Sequence, residues 1–226
     1  MNDLLTIYIK KLQNNKLTRN TIDAYTRDVK RFIEFTENRN ETQETVDNIT
    51  IMAYSEYLKK EGKANSSIAR SIVSIRNYYK YLIKSNLAQN DPTAYFSLPK
   101  IKRNIPQILS IEEIDELLNQ PEQLTIKGCR DKAMLELMYA TGMKVSELLS
   151  LTVYDINLDS LYITCNNGRK NERIIPIGRH AISCMSEYLK IRYKINLNNL
   201  NLLFLNTKSE KMTRQGFWKI IKEYAK

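Results

Sequence analysis

The sequence contains a single histidine, His180, and three cysteines, Cys129, Cys165 and Cys184, without CxxC spacing. An odd cysteine count argues against a disulfide framework, and one histidine leaves too few ligands for a Cys/His zinc site of ordinary spacing. Reduced thiols, no metal and no cofactor are therefore expected. No apolar run approaches the roughly 18–20 residues needed to span a bilayer. The start, Met1-Asn2-Asp3-Leu4, is not a basic stretch followed by a long apolar one, so no secretory signal is visible. These absences predict a cytoplasmic protein without a membrane partner. No internal repeat or low-complexity tract occurs. Proline is scarce, five in 226 residues, yet Pro92, Pro99 and Pro106 share one 15-residue stretch.

What the chain has in excess is positive charge. Lys and Arg number 35 against 25 Asp and Glu, a formal net charge of +10, with 42% apolar and 27% charged residues. Residues 1–99 carry +4 (15 basic, 11 acidic) and residues 100–226 carry +6 (20 basic, 14 acidic). A basic domain attracts polyanions, because neutralised phosphates release condensed counterions. Charge alone is weak evidence, since a solvated surface explains it equally well.

Apolar periodicity makes residues 1–90 almost wholly helical. Ile22, Tyr25, Val29, Phe32 and Ile33 form one stripe, and Ile68, Ile72, Ile75, Tyr79 and Leu82 form the clearest. Thr50 is expected to cap a helix containing Ile51, Tyr54 and Leu58. The proline cluster, with Lys100, Lys102 and Arg103, reads as an extended basic linker over 91–106. Beyond it, Ser110 to Glu113 forms a capping box. Helices are then expected over 130–139, ending near Gly142, over 145–149 and over 179–193. Strands at 161–165 and 173–177 should form a hairpin across the polar turn 166–171, with a short strand at 202–205. Thr213 caps a last helix running to the final residue.

Several blocks resemble the Xer-type tyrosine recombinases of the phage-integrase family. Leu17-Thr-Arg-Asn-Thr-Ile-Asp-Ala-Tyr25-Thr-Arg-Asp28 is similar to the opening helix of their core-binding domain. Asn90-Asp-Pro-Thr93 and Leu98-Pro-Lys100 resemble their linker. Arg130-Asp-Lys-Ala-Met-Leu-Glu-Leu-Met-Tyr-Ala-Thr-Gly142, continuing to Leu151, is the most specific block. Glu172-Arg-Ile-Ile-Pro-Ile-Gly178 and Met212-Thr-Arg-Gln-Gly-Phe-Trp218 follow in family order. The resemblance implies a mainly α protein. A helical, SAM-like core-binding domain (1–90) would be joined by the linker (91–106) to an incomplete α+β catalytic domain (107–226) with a small antiparallel sheet. It also implies a metal-free reaction in which a tyrosine attacks the scissile phosphate. Two arginines and a histidine hold the phosphoryl oxygens, another His or Trp supports the tyrosine, and a hairpin lysine protonates the leaving oxygen. Fixed donors must already point where charge develops.

Three departures from the family pattern bear on activity. Lys144 stands where the family has its first catalytic arginine, which keeps the charge but loses the planar fork that matches a phosphate. The expected cost is about 2–4 kcal/mol of transition-state stabilisation. The hairpin lysine has no unambiguous counterpart. Counting from the flanking strands reaches Asn167 or Gly168, so Lys170, or else Arg169, is the candidate, and simple backbone-phosphate contact is the alternative. The family's His-x-x-Arg motif and nucleophilic tyrosine have no counterpart in these 226 residues, and His180 matches no catalytic position. The chain is thus expected to be truncated and unable to cleave alone, with an uncovered apolar patch near the last helix and the helix over 130–139.

The resemblance places the helix from Asn65 against DNA through Ser66, Ser67, Arg70, Ser74 and Asn77, with Arg76 at its margin. Thr18, Asn20 and Arg27 form a second contact, and Lys100, Lys102, Arg103 and Arg169 are further candidates. A solvated helix face is the plain alternative for each. The implied partners are double-stranded DNA and another recombinase protomer. Two functions remain open: a recombinase relative acting in DNA recombination and integration, or a stand-alone DNA-binding protein that occupies recombination sites without chemistry.

Overall fold

The computed structural model describes residues 3–15, 17–42, 45–101, 105–166 and 172–226. The chain divides into two units, Met1–Ile105 and Pro106–Lys226, each with its own core. Among the described residues no helix is long and apolar enough to cross a membrane.

The first unit holds four helices: α1 (Asp3–Asn14), α2 (Arg19–Glu37), α3 (Asn48–Lys60) and α4 (Asn65–Lys84). The stripes read from sequence become its core. Val29, Phe32 and Ile33 of α2 meet Ile51, Tyr54 and Leu58 of α3 and Ile68, Ile72, Ile75, Tyr79 and Leu82 of α4. Leu5, Tyr8 and Leu12 of α1 close the remaining side. Aromatic rings lock the helices in register, with Phe32 edge-on to Tyr54 and Tyr8 edge-on to Tyr78, both at 5.1 Å between centroids. Each large side chain so buried contributes about 1.5–3 kcal/mol. The cap of α3 corrects the sequence reading. Asp47, not Thr50, is the N-cap, and its Oδ1 accepts from the Thr50 amide at 2.9 Å. Thr50 lies inside the first turn and donates its own hydroxyl to the same oxygen.

The second unit runs α5 (Ile111–Asn119), α6 (Ile126–Thr141), α7 (Val145–Leu148), β1 (Ile156–Asn157), β2 (Tyr162–Asn166), β3 (Glu172–Pro176), α8 (Arg179–Arg192), a 3-10 turn (Tyr193–Ile195) and α9 (Arg214–Tyr224). The sheet is antiparallel in the order β1-β2-β3, with Ile163 opposite both Ile156 and Ile175. Ser110 and Glu113 form the expected capping box. The last helix stops at Tyr224, two residues short of the end.

Helix α6 is the axis of this unit, buried from Gly128 through Leu137. It packs on α8 through Ala133, Met134 and Leu137 against Ala181, Cys184, Met185 and Tyr188. Four charged residues lie within that buried stretch, and each is bonded, as burial requires. Arg130 donates to Asp131 Oδ1 at 2.7 and 2.8 Å and to the Leu205 carbonyl at 3.0 Å. Tyr224 donates to Asp131 Oδ2 at 3.1 Å, so α9 is tied to the same pair. Lys132 meets Glu136 at 2.9 Å.

The expected strand at 202–205 does not form a ladder. Among the described residues it makes only isolated bridges, Thr152 to Leu202 and Leu205 to Lys211. Its carbonyls are taken by side chains instead. Arg192 donates to the carbonyls of Leu200, Leu202 and Leu203, Tyr188 donates to Leu203, and Arg130 donates to Leu205. Two buried guanidinium groups thus replace a neighbouring strand.

Candidate functional site

In the first unit the polar middle of α2 meets the N-terminal half of α4. Arg27, Asp28 and Arg31 of α2 and Ser67, Arg70 and Ser71 of α4 line a hollow of about 240 Å³, with Lys63 and Leu58 completing its wall. Three of the expected contact residues, Arg27, Ser67 and Arg70, are therefore brought together. Arg31 and Lys63 were missed by sequence reasoning. Lys63 falls in the loop before α4, where no periodicity marks it.

The charges in this hollow differ in freedom. Arg70 pairs with Asp28 at 2.5 Å, and Arg31 pairs with Glu61. Among the described residues Arg27 and Lys63 have no ion-pair partner, and both are exposed. The hollow presents hydroxyl, ammonium and guanidinium donors at its mouth and keeps one carboxylate at its base.

The rest of the expected face of α4 has structural employment. Ser74 is fully buried and donates to Asp28 at 2.8 Å and to the Arg70 carbonyl at 3.1 Å. This corrects its assignment to an exposed polar face, because α2 covers that arc of the helix. Arg76 donates to Thr93 Oγ1, to the Thr93 carbonyl and to the Phe96 carbonyl at 3.1–3.3 Å, pinning the start of the linker to α4. Asn77 donates to the Tyr25 hydroxyl at 3.2 Å and cross-links α4 to α2. Ser66 is exposed, as are Asn20 and Lys100. Thr18 is the N-cap of α2, and its hydroxyl oxygen accepts from the Thr21 amide. Lys102, Arg103, Arg169 and Lys170 lie outside the described residues.

In the second unit Lys144 sits between α6 and α7. Gly142 ends α6 in the left-handed region at φ 58°, a conformation glycine adopts without strain. The turn leaves the Lys144 side chain exposed while its amide is held at 2.9 Å by Glu147. Glu147 is itself buried and accepts from Arg173 of β3 at 2.7 and 3.3 Å. One carboxylate therefore fixes the backbone of Lys144 relative to the hairpin. Burial pushes the Glu147 carboxyl upward, but the bonds from Arg173 and the Lys144 amide outweigh it, and the net shift is downward.

Five tyrosines are held in their protonated form by their surroundings. Burial pushes the phenols of Tyr54 and Tyr188 up to about 12, and burial together with Asp131 does the same for Tyr224. Tyr8 and Tyr79 are shifted further in the same direction by burial.

No metal was expected, because the cysteines and the histidine lack ligand spacing in sequence. The fold nevertheless brings Glu136, His180 and Cys184 within 4.8 Å of one another. The readable signal was His180 and Cys184 four apart on one helix; Glu136 comes from a different helix and could not be placed by spacing.

Comparison with known proteins agrees with the blocks noted in the sequence. The Phage integrase family matches residues 107–226, and the Phage integrase N-terminal SAM-like domain matches residues 5–86. The tyrosine recombinase XerD of Halalkalibacterium halodurans is 37% identical over 97% of this chain and 75% of its own length. XerD of Listeria innocua is 36% identical over 100% of this chain and 78% of its own. XerC of Roseiflexus is 35% identical over 100% and 74%. Among solved structures, a lambda integrase tetramer bound to a Holliday junction superposes with a TM-score of 0.76 at 18% identity, covering 99% of this chain and 62% of that one. The Tn1549 transposon integrase in complex with circular intermediate DNA gives 0.74 at 17% identity, covering 98% and 76%. At those identities the solved structures speak to the fold alone, whereas the family match and the Xer relatives are matches of sequence. The chain belongs to the phage integrase family of tyrosine recombinases, with Xer-type members among its relatives.

Proposed function

We propose that this chain binds duplex DNA as a component of site-specific recombination, and that these 226 residues do not break DNA strands by themselves. The observation that carries the binding is the hollow between α2 and α4, where Arg27, Lys63, Ser67 and Arg70 converge within a unit of net positive charge. Guanidinium, ammonium and hydroxyl donors in one concavity suit the oxygens of a phosphate backbone. Relatives of the same fold were solved bound to a Holliday junction and to circular intermediate DNA. In this reading residues 1–90 form the helical DNA-binding domain, 91–106 the basic linker, and 107–226 the catalytic-type domain. The second unit adds charge through Lys144 and the hairpin, and a second recombinase protomer is the expected protein partner.

Lys144 favours the non-cleaving reading, in which the chain occupies recombination sites without chemistry. An ammonium at this place holds a phosphate as a point charge and lacks the rigid planar fork with which a guanidinium pairs two of its oxygens. The test is a nicked suicide duplex that traps a phosphotyrosine. Binding without any denaturant-resistant adduct is expected. A covalent adduct formed by the 226-residue chain would refute the non-cleaving part and leave the binding part standing.

A further inference from the structure

We propose that Glu136, His180 and Cys184 form a binding site for a divalent cation of the zinc class. His180 and Cys184 are four residues apart on α8 and so lie one turn apart on the same face. Glu136 reaches that face from α6, and the three ligand atoms lie within 4.8 Å of one another. His180 Nε2 and Glu136 Oε1 are already 3.1 Å apart. A hydrogen bond accounts for that pair, but nothing in it requires a thiol at the same point. Ligand atoms of a tetrahedral zinc ion stand about 3.3–3.8 Å apart, so the triad needs to contract by only about 1 Å.

The donor set selects the metal. Carboxylate oxygen, imidazole nitrogen and thiolate sulfur together suit a borderline cation such as Zn²⁺, whereas Mg²⁺ and Ca²⁺ prefer oxygen alone. Burial is graded across the site. Glu136 and Cys184 are buried, whereas the His180 side chain is 73% exposed. An ion would therefore enter from the His180 side and keep a fourth position open to water, the arrangement of a three-ligand zinc site.

Lys132 is the group that tunes the site. Its ammonium is 2.9 Å from Glu136 Oε1 and is also held by the Leu118 carbonyl at 2.8 Å and Asn119 Oδ1 at 3.2 Å. These two further acceptors keep the lysine satisfied when the carboxylate turns to an ion. The lysine orients Glu136, and its charge lowers the affinity of the site below that of a ligand set without a neighbouring cation. Because the ligands come from both α6 and α8, binding clips together the two central helices of the second unit and should raise its unfolding temperature.

Titration of the tag-free, reduced 226-residue chain with Co²⁺ reads the site directly, because a thiolate bound to cobalt gives a charge-transfer band in the near ultraviolet. The band is expected in the unaltered chain, in Cys129→Ser and in Cys165→Ser. It should vanish in Cys184→Ser and in His180→Asn, and Zn²⁺ should displace the cobalt. Zn²⁺ affinity should fall by about tenfold or more in His180→Asn, since even outer-shell changes commonly cost that much. His180 is exposed, so this variant should keep the native circular dichroism spectrum, which separates loss of a ligand from loss of fold. Absence of any thiolate band, or a band that survives both ligand substitutions, would overturn the proposal.

Discussion

Arg27 and Arg70 face the same hollow, yet they should behave differently when removed. Arg70 holds Asp28, which is buried and otherwise accepts from Ser74. Arg70→Ala therefore leaves a poorly compensated buried carboxylate, and a loss of about 1–3 kcal/mol of stability is expected alongside weaker DNA binding. Arg27→Ala touches no ion pair among the described residues and should weaken binding while leaving the urea midpoint of unfolding unchanged. If Arg27→Ala binds duplex DNA as tightly as the unaltered chain, the hollow is not a contact site. Glu147 gives a second residue-scale prediction. Its folded pKa lies below the ordinary value, so the stability it contributes is present above the unfolded pKa of about 4.3 and is lost as pH falls through the folded value. Glu147→Gln should flatten the acid limb of the stability curve of the second unit. An unchanged acid limb would mean that the Arg173 and Lys144 contacts do not stabilise the carboxylate.

At the scale of elements, Gly128 shows how close the packing around α6 is. A Cβ built there would lie 2.0 Å from the Glu122 carbonyl oxygen, a backbone atom with little freedom to move. Gly128→Ala should destabilise the second unit by about 1–3 kcal/mol, against the usual helical gain from replacing glycine. Thermal unfolding checks it, and an unchanged or higher midpoint would show that the loop at Glu122 yields. That close approach was invisible in the sequence, because it joins a helix to a loop rather than following a period. The amphipathic stripes of α2 and α4, the capping box of α5 and the hairpin were legible, since each depends on neighbours three or four residues away or on alternation. The segment 202–205 was misread because its apolar run fits a strand, while the arginines that take its carbonyls come from α6 and α8. The face of α4 was half legible. Ser66, Ser67 and Arg70 are exposed as expected, but Ser74, Arg76 and Asn77 are polar residues bonded to α2 and to the start of the linker. A polar side chain at a helical position does not reveal whether it meets water, DNA or a neighbouring helix. Around α9, Phe217 and Ile220 are buried, while Trp218 is 60% exposed beside a groove formed with Val145, Arg214 and Ile221. The expectation of apolar surface at this helix and at the helix over 130–139 thus narrows to one indole with its surroundings and to Tyr139, 56% exposed near the end of α6.

At the scale of the whole molecule, both units carry net positive charge, and the reading that unites them is attraction to a polyanion. Lys144→Arg should tighten phosphate contact, because the guanidinium restores the planar fork that matches two phosphate oxygens. A duplex affinity left unchanged by that variant would show that the Lys144 side chain does not touch the phosphate backbone. The binding claim itself is tested most directly by the affinity of the 226-residue chain for a fluorescent duplex over a salt series. Tight binding is predicted at low salt, with a linear fall of log affinity with log salt. The slope should be about 0.9 per phosphate neutralised, and it should become shallower in Arg27→Ala. No binding at low salt, or an affinity that does not change with salt, would contradict it.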